Sequence, residues 1–138
     1  MGMVHALWRR RAGAALEGFG ITLSQYQLIQ LARMRGAVSP SAAAEELCTD
    51  RATMTLVARK CVAAGWLGRR RSKEDRRSSL LKLTGQGEEL LDRIEAARAL
   101  GEESLGDPFD VLDSGERAAL MRILDKVQRR ARDVLGSA

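Results

Sequence analysis

Between Gly65 and Thr84 the helical periodicity of this chain gives way to strand alternation, and that change limits the folds open to it. On either side, apolar residues recur every three or four positions, the mark of helices that each bury one face. Between them, "WLGRRRS" and "SSLLKLT" suit two short strands, with Leu81 and Leu83 alternating inward and "KEDR" as the tip. Helices carrying a single hairpin place the chain in the mainly α class. A length of 138 residues suits one folding unit with a modest core.

Local signals mark the helices. Val4, Leu7, Trp8, Ala12, Ala15, Leu16 and Phe19 form one stripe, which "GFG" at Gly18 to Gly20 stops. Thr22 and Gln25 form a capping box, so a second helix follows and buries Leu28, Ile29 and Ala32. Ser39 caps a short third helix with Pro40 at its first position, where the missing amide donor costs nothing. "CTD" ends it near Leu47, and Thr49 or Asp50 caps a fourth helix from about Arg51 to Ala64, closed by Gly65. These two helices, joined by about three residues, make a helix-turn-helix.

Beyond Thr84, Leu90, Leu91, Ile94, Ala97 and Leu105 continue a helical stripe that Pro108 interrupts. Asp113 and Glu116 then start a last helix with Leu120, Ile123, Leu124, Val127, Ala131 and Val134 in register. The first and last stripes are more apolar surface than a small domain easily covers by itself. A second copy of the chain is the expected cover.

Charge is concentrated in the middle of the molecule. Net charge is +5, yet Arg51 to Lys82 holds ten Lys/Arg against two Asp/Glu, or +8, which leaves −3 for the remainder. One basic segment on an otherwise acidic chain points to a docking face for a polyanion, with nucleic acid foremost. Other chemistries find little material. His5 is the sole histidine, the two cysteines Cys48 and Cys61 show no metal-ligand spacing, and no glycine-rich phosphate loop is present. No cofactor, metal or catalytic residue is therefore expected. No apolar run approaches the ~20 residues of a membrane span, and no signal peptide is evident, so a cytoplasmic protein is the expectation.

"GITLSQYQLIQLARMRGAVSPSAAAEEL" and "DRATMTLVARKCVAAGWLGRRRSKEDRRSSLLKLTGQGEELL" resemble the MarR family of bacterial transcriptional regulators from about Ile21 to Leu91. The most specific piece is "EDRRSSLLKLTGQG", similar to the family's Asp-x-Arg wing, its "LT" and its glycine entry to the next helix. The resemblance implies a winged helix-turn-helix with a two-stranded β-hairpin wing and N- and C-terminal dimerisation helices. Within a single domain over 1–138, about 22–84 would be the DNA-binding lobe, with 1–20 and 85–138 the dimerisation helices. Many relatives start earlier, which implies an interface shortened at its amino end.

The expected partners are double-stranded DNA and a second copy of the chain, with no membrane. The expected function is that of a homodimeric, sequence-specific regulator, a repressor released by a small-molecule effector. Relatives often release DNA on binding a small aromatic molecule or on cysteine oxidation. Trp8, Phe19, Tyr26, Trp66 and Phe109 are the aromatics available, and packing is their default role. The alternative is an architectural or protein-interaction winged helix that binds nucleic acid without sequence selectivity.

On a wheel of about 3.6 residues per turn, Met54, Val57, Ala58, Cys61 and Ala64 fall on the core side of the fourth helix. Opposite them lie Ala52, Thr55, Leu56, Arg59 and Ala63, with Arg51, Thr53 and Lys60 flanking. Arg51, Thr53, Thr55, Arg59 and Lys60 are the recognition-helix candidates, for base edges or for phosphates. Relatives commonly carry an arginine where this chain has Leu56, so its recognition face is expected to be unusually apolar. In the wing, Arg69, Arg71, Lys73, Arg76 and Arg77 are the DNA-binding candidates. Arg77 matches the family's wing arginine, whose reach suits a narrow minor groove, and Asp75 its supporting partner.

Overall fold

A computed structural model describes residues 2–71, 73, 79–100 and 109–136. The described chain forms α1 (Gly2–Glu17), α2 (Leu23–Arg35), α3 (Pro40–Glu46), α4 (Arg51–Ala63), β1 (Leu67–Arg71), β2 (Ser79–Leu83), α5 (Gly85–Ala99) and α6 (Ser114–Gly136). It divides into two compact units, Met1–Leu105 and Gly106–Ala138. The single expected hairpin is present, with β1 and β2 antiparallel and Leu67 opposite Leu83, Arg69 opposite Leu81 and Arg71 opposite Ser79.

Capping chemistry sets most helix starts in the first unit. Thr22 and Gln25 exchange both bonds of a capping box at α2, with the Gln25 amide donating to Thr22 Oγ1 at 3.2 Å and Thr22 N–H to Gln25 Oε1 at 2.9 Å. Ser39 Oγ accepts from the Ala42 amide at 3.1 Å, with Pro40 opening α3. Of the two candidate caps for α4, Asp50 is the one used, since its Oδ1 accepts from the Thr53 amide at 2.8 Å. Thr49 instead donates its hydroxyl to Leu47 O at 3.3 Å. The turn between α3 and α4 is tight because Cys48 takes a φ of 53°, a left-handed conformation uncommon for any residue but glycine.

One apolar core joins these elements. Leu28, Ile29 and Ala32 of α2, Ala43 and Ala44 of α3, Met54, Ala58 and Cys61 of α4, and Leu90, Leu91 and Ile94 of α5 are all buried together. Leu67 and Leu81 bring the hairpin into the same core. Leu81 is held further by Val38, with the Leu81 amide donating to Val38 O at 2.8 Å and the Val38 amide to Leu81 O at 3.0 Å. This isolated bridge was not expected from the sequence, because a single residue in "GAVSP" carries no alternation to read. Ala64, expected on the core side, is exposed, because it caps the end of α4 and the chain turns away there.

The hairpin is tied to α5 by a close approach. Thr84 caps α5 by accepting from the Gly87 amide at 3.1 Å and donates its hydroxyl to Gly65 O at 2.5 Å, so one side chain links the end of α4 to the start of α5. Gly87 itself faces the Trp66 carbonyl and Leu83 with no room for a side chain. The expected stripe of α1 is only partly covered within this unit: Leu16 is buried, whereas Met3, Val4, Leu7 and Trp8 are exposed.

The second unit consists chiefly of α6. Asp113 Oδ1 accepts from the Glu116 amide at 2.8 Å, while the Asp113 amide donates to Glu116 Oε2 at 3.1 Å, closing the expected acidic capping box. Its apolar stripe is present, and none of its residues is buried. Leu105 and Pro108 lie outside the described residues.

A Cβ on Gly87 would sit 2.4 Å from Trp66 O and 2.5 Å from Leu83 Cδ1, so Gly87→Ala is expected to destabilise the fold by about 1 to 3 kcal/mol through overpacking. Gly85→Ala, with nothing within 4 Å of the new atom, should be neutral or stabilising. Urea unfolding of the two variants beside the parent protein checks the contrast.

Candidate nucleic-acid interface

The described cations of the basic segment lie at the surface of the first unit. With Met54, Ala58 and Cys61 in the core, geometry leaves Arg51, Ala52, Thr53, Thr55, Leu56, Arg59, Lys60 and Ala63 of α4 exposed. All five recognition-helix candidates, Arg51, Thr53, Thr55, Arg59 and Lys60, therefore lie in solvent on one helix. In the wing, Arg69, Arg70, Arg71 and Lys73 are exposed. Arg69 donates through Nη1 to Ser79 Oγ at 3.3 Å across the strand pair. The remaining wing candidates, Asp75, Arg76 and Arg77, lie outside the described residues.

Both threonines of α4 have their hydroxyl protons engaged within the helix. Thr53 donates to Asp50 Oδ2 at 2.6 Å, and Thr55 donates back to Arg51 O at 2.8 Å. Each hydroxyl keeps lone pairs for accepting, and each side chain keeps its methyl. The exposed face thus carries Ala52, Leu56, Arg59 and Ala63 along its central row, with Arg51 and Lys60 toward its margins. Leu56 is 49% exposed, in agreement with the apolar face expected from the sequence.

Asp50 anchors the start of that face. Hydrogen bonds from the Thr53 hydroxyl and backbone amides hold its carboxyl below the usual carboxylate value. A depressed pKa stabilises the fold above the unfolded-state value and loses that contribution as pH falls through the folded-state value, so the full contribution of this cap is present above about pH 4.

Two ionic contacts, both missed in the sequence, orient the helices behind the interface. Arg33 of α2 meets three carboxylates of α5: Glu88 at 3.3 Å, Asp92 at 2.9 Å and Glu95 at 3.8 Å. The hydrogen bond to Asp92 is the main reason its guanidinium pKa is raised. The legible signal was the spacing of the carboxylates, which places all three on one side of α5. Arg35 pairs with Glu46, joining α2 to α3. On the other flank Arg93 lies 5.8 Å over the Phe19 ring, within cation–π range.

Among the described residues, no cluster of His, Cys, Asp and Glu could hold a metal ion, and no helix is long and apolar enough to cross a membrane.

The comparisons with known proteins agree with this geometry. Residues 21–79 match the MarR family model, a span that includes the helix-turn-helix and the first strand of the hairpin. A variant of MarR from E. coli, solved in complex with operator DNA, is similar in structure with a TM-score of 0.77 at 26% identity, covering 91% of this chain and 89% of that one. Over residues 21–79 this chain is similar to the MarR family.

A MarR transcriptional regulator from Methanosarcina mazei Go1 shares the fold at a TM-score of 0.81 and 20% identity, covering 96% of this chain and 94% of that one. In sequence, the transcriptional regulator PecS of Dickeya dadantii is 27% identical over 114 residues, 80% of this chain and 67% of PecS. The regulator YdgJ of Bacillus subtilis is 27% identical over 115 residues, 83% of this chain and 68% of YdgJ. The winged helix-turn-helix expected from the sequence is the fold observed, and both of these sequence relatives are transcriptional regulators.

Two measurements follow from α4. Replacing Asp50 by alanine removes the acceptor of the Thr53 amide, so hydrogen exchange at that amide should accelerate several-fold at neutral pH. In the parent protein, protection of that amide relative to its intrinsic exchange rate should persist through the usual carboxylate range and be lost only as pH falls through the depressed pKa of Asp50. Cys61 is buried, and burial pushes its thiol up to about 12, whereas Cys48 is exposed. A thiol reagent at neutral pH should therefore modify Cys48 in the native protein, and Cys61 only after unfolding.

Proposed function

We propose that this chain is a MarR-family regulator, a homodimeric repressor that binds a twofold-symmetric operator. Each α4 would enter a major groove, and each hairpin would reach the neighbouring minor groove and phosphates. The observation that carries this reading is the split character of α4: one face is locked into the core, and the other leaves Arg51, Arg59 and Lys60 exposed, as are the arginines of β1. Such cations neutralise phosphates, and an exposed helix fits the width of the major groove. The operator complex of the E. coli MarR variant supports the same docking by likeness.

Dimerisation is supported by apolar surface left uncovered in each unit. Met3, Val4, Leu7 and Trp8 in α1, and Met121, Ile123, Val127, Val134 and Leu135 in α6, are exposed. In this reading residues 22–84 are the DNA-binding lobe, and 1–20 with 85–138 supply the interface of a single domain. Arg69, Arg71, Lys73, Arg76 and Arg77 would serve the wing, with Asp75 as support. Release by a small aromatic effector rests on the family resemblance, and cytoplasmic action follows from a DNA target.

A second reading has one observation in its favour. Because the threonine hydroxyl protons of α4 are engaged internally, the donors left on that face are the cationic Arg51, Arg59 and Lys60, and used on phosphates alone these suit an architectural protein that binds DNA without selectivity. The two readings differ in whether one duplex is preferred.

Selection from a random duplex pool should return a palindrome with half-sites about one helical turn apart. That site should bind about 10³-fold or more tighter than random DNA at physiological salt. Affinity should fall by roughly 10³ to 10⁵ between about 50 and 200 mM salt if six to ten phosphates are contacted. Arg59→Ala and Arg77→Ala should each weaken binding about tenfold or more, while sedimentation still reports a dimer. Equal affinity for selected and random duplexes would favour the architectural reading.

A further inference from the structure

On α4, the large apolar side chains divide sharply. Met54 and Cys61 are at most 1% exposed, whereas Leu56 is 49% exposed. Its neighbours one turn away are Ala52 and Thr53 on the amino side and Arg59 and Lys60 on the carboxyl side. The amino-terminal half of the central row is therefore a hydrocarbon side chain next to a small one, with Arg59 following in the same row and Arg51 and Lys60 to the sides. The threonines add to the apolar character, since their hydroxyl protons are engaged by Asp50 and by the Arg51 carbonyl.

Such a surface cannot treat the four bases alike. In the major groove, guanine, cytosine and adenine present hydrogen-bonding groups, and a leucine set against them strips water without replacing the bonds. Thymine alone presents a C5-methyl group, which a leucine buries favourably. The flanking Arg51, Arg59 and Lys60 are placed to hold the adjacent phosphates, and that would press the apolar half of the row onto the floor of the groove.

We propose that Leu56, with Ala52 beside it, reads thymine C5-methyl groups in each operator half-site and is the specificity-determining residue of the recognition helix. The proposal rests on the operator-binding reading above. It gives α4 a source of base discrimination that needs no side-chain donor. Selectivity then comes from a methyl group, and the arginines supply affinity.

Deoxyuridine tests this directly, because it removes the methyl and keeps every hydrogen-bonding group of thymine. In the selected duplex, thymines are replaced singly by deoxyuridine, and binding to the full-length protein is measured by fluorescence anisotropy at fixed salt. At one or two thymines per half-site, the parent protein should lose about three- to fivefold in affinity for each methyl removed. Leu56→Ala, a change at an exposed position, should bind the thymine duplex correspondingly more weakly and show no difference between thymine and deoxyuridine at those sites. Equal affinity of the parent protein for every deoxyuridine duplex would overturn the proposal, as would a Leu56→Ala variant that keeps the full difference. Failure to enrich any duplex from the random pool is a separate result: it defeats operator binding itself, and this proposal with it.

Discussion

The burial of Met54, Ala58 and Cys61 is the constraint from which the rest of the interface follows. These side chains hold α4 against α2, α3 and the hairpin, so the helix can present only one face to a partner. That presentation is rigid at both ends. Asp50 satisfies amides at its start, and at its far end the Gly65 carbonyl accepts the Thr84 hydroxyl, which ties the helix to α5. In the proposed role as recognition helix, α4 fixed in this way would meet a duplex without first ordering itself, and the conformational entropy of ordering would not weaken binding.

The helices behind the interface act as its frame. Arg33 fastens α2 to three carboxylates of α5, and Gly87 lets α5 begin in contact with the Trp66 carbonyl. Individual surface ion pairs contribute little to stability, so the value of the Arg33 cluster lies in fixing orientation. Any signal that altered the placement of α5 would be felt by the helix-turn-helix through these contacts.

Much of this arrangement was legible in the chain itself. Thr22 and Gln25, Ser39 and Pro40, and Asp113 and Glu116 mark helix starts by local chemistry, which depends only on near neighbours. The loss of helical period after Gly65 revealed the hairpin for the same reason. Contacts between distant segments were not legible: the pairing of Val38 with Leu81, and the meeting of Arg33 with α5, exist only once the chain has folded. The engagement of the Thr53 and Thr55 hydroxyls is local, yet it was missed because a helix wheel records where a side chain lies and not where its proton goes. Leu56 was visible as an exposed apolar residue, but its meaning depends on the donors around it being occupied.

Hydroxyl-radical footprinting read by mass spectrometry tests most directly whether the free face of α4 is the surface that grips a duplex. Leu56 is 49% exposed on that face, and Met34 is 74% exposed on α2, so both should be oxidised in the free protein. Adding the selected duplex should protect Leu56 and leave Met34 reactive. Protection of Met34 with Leu56 still fully oxidised would contradict the placement of DNA on α4.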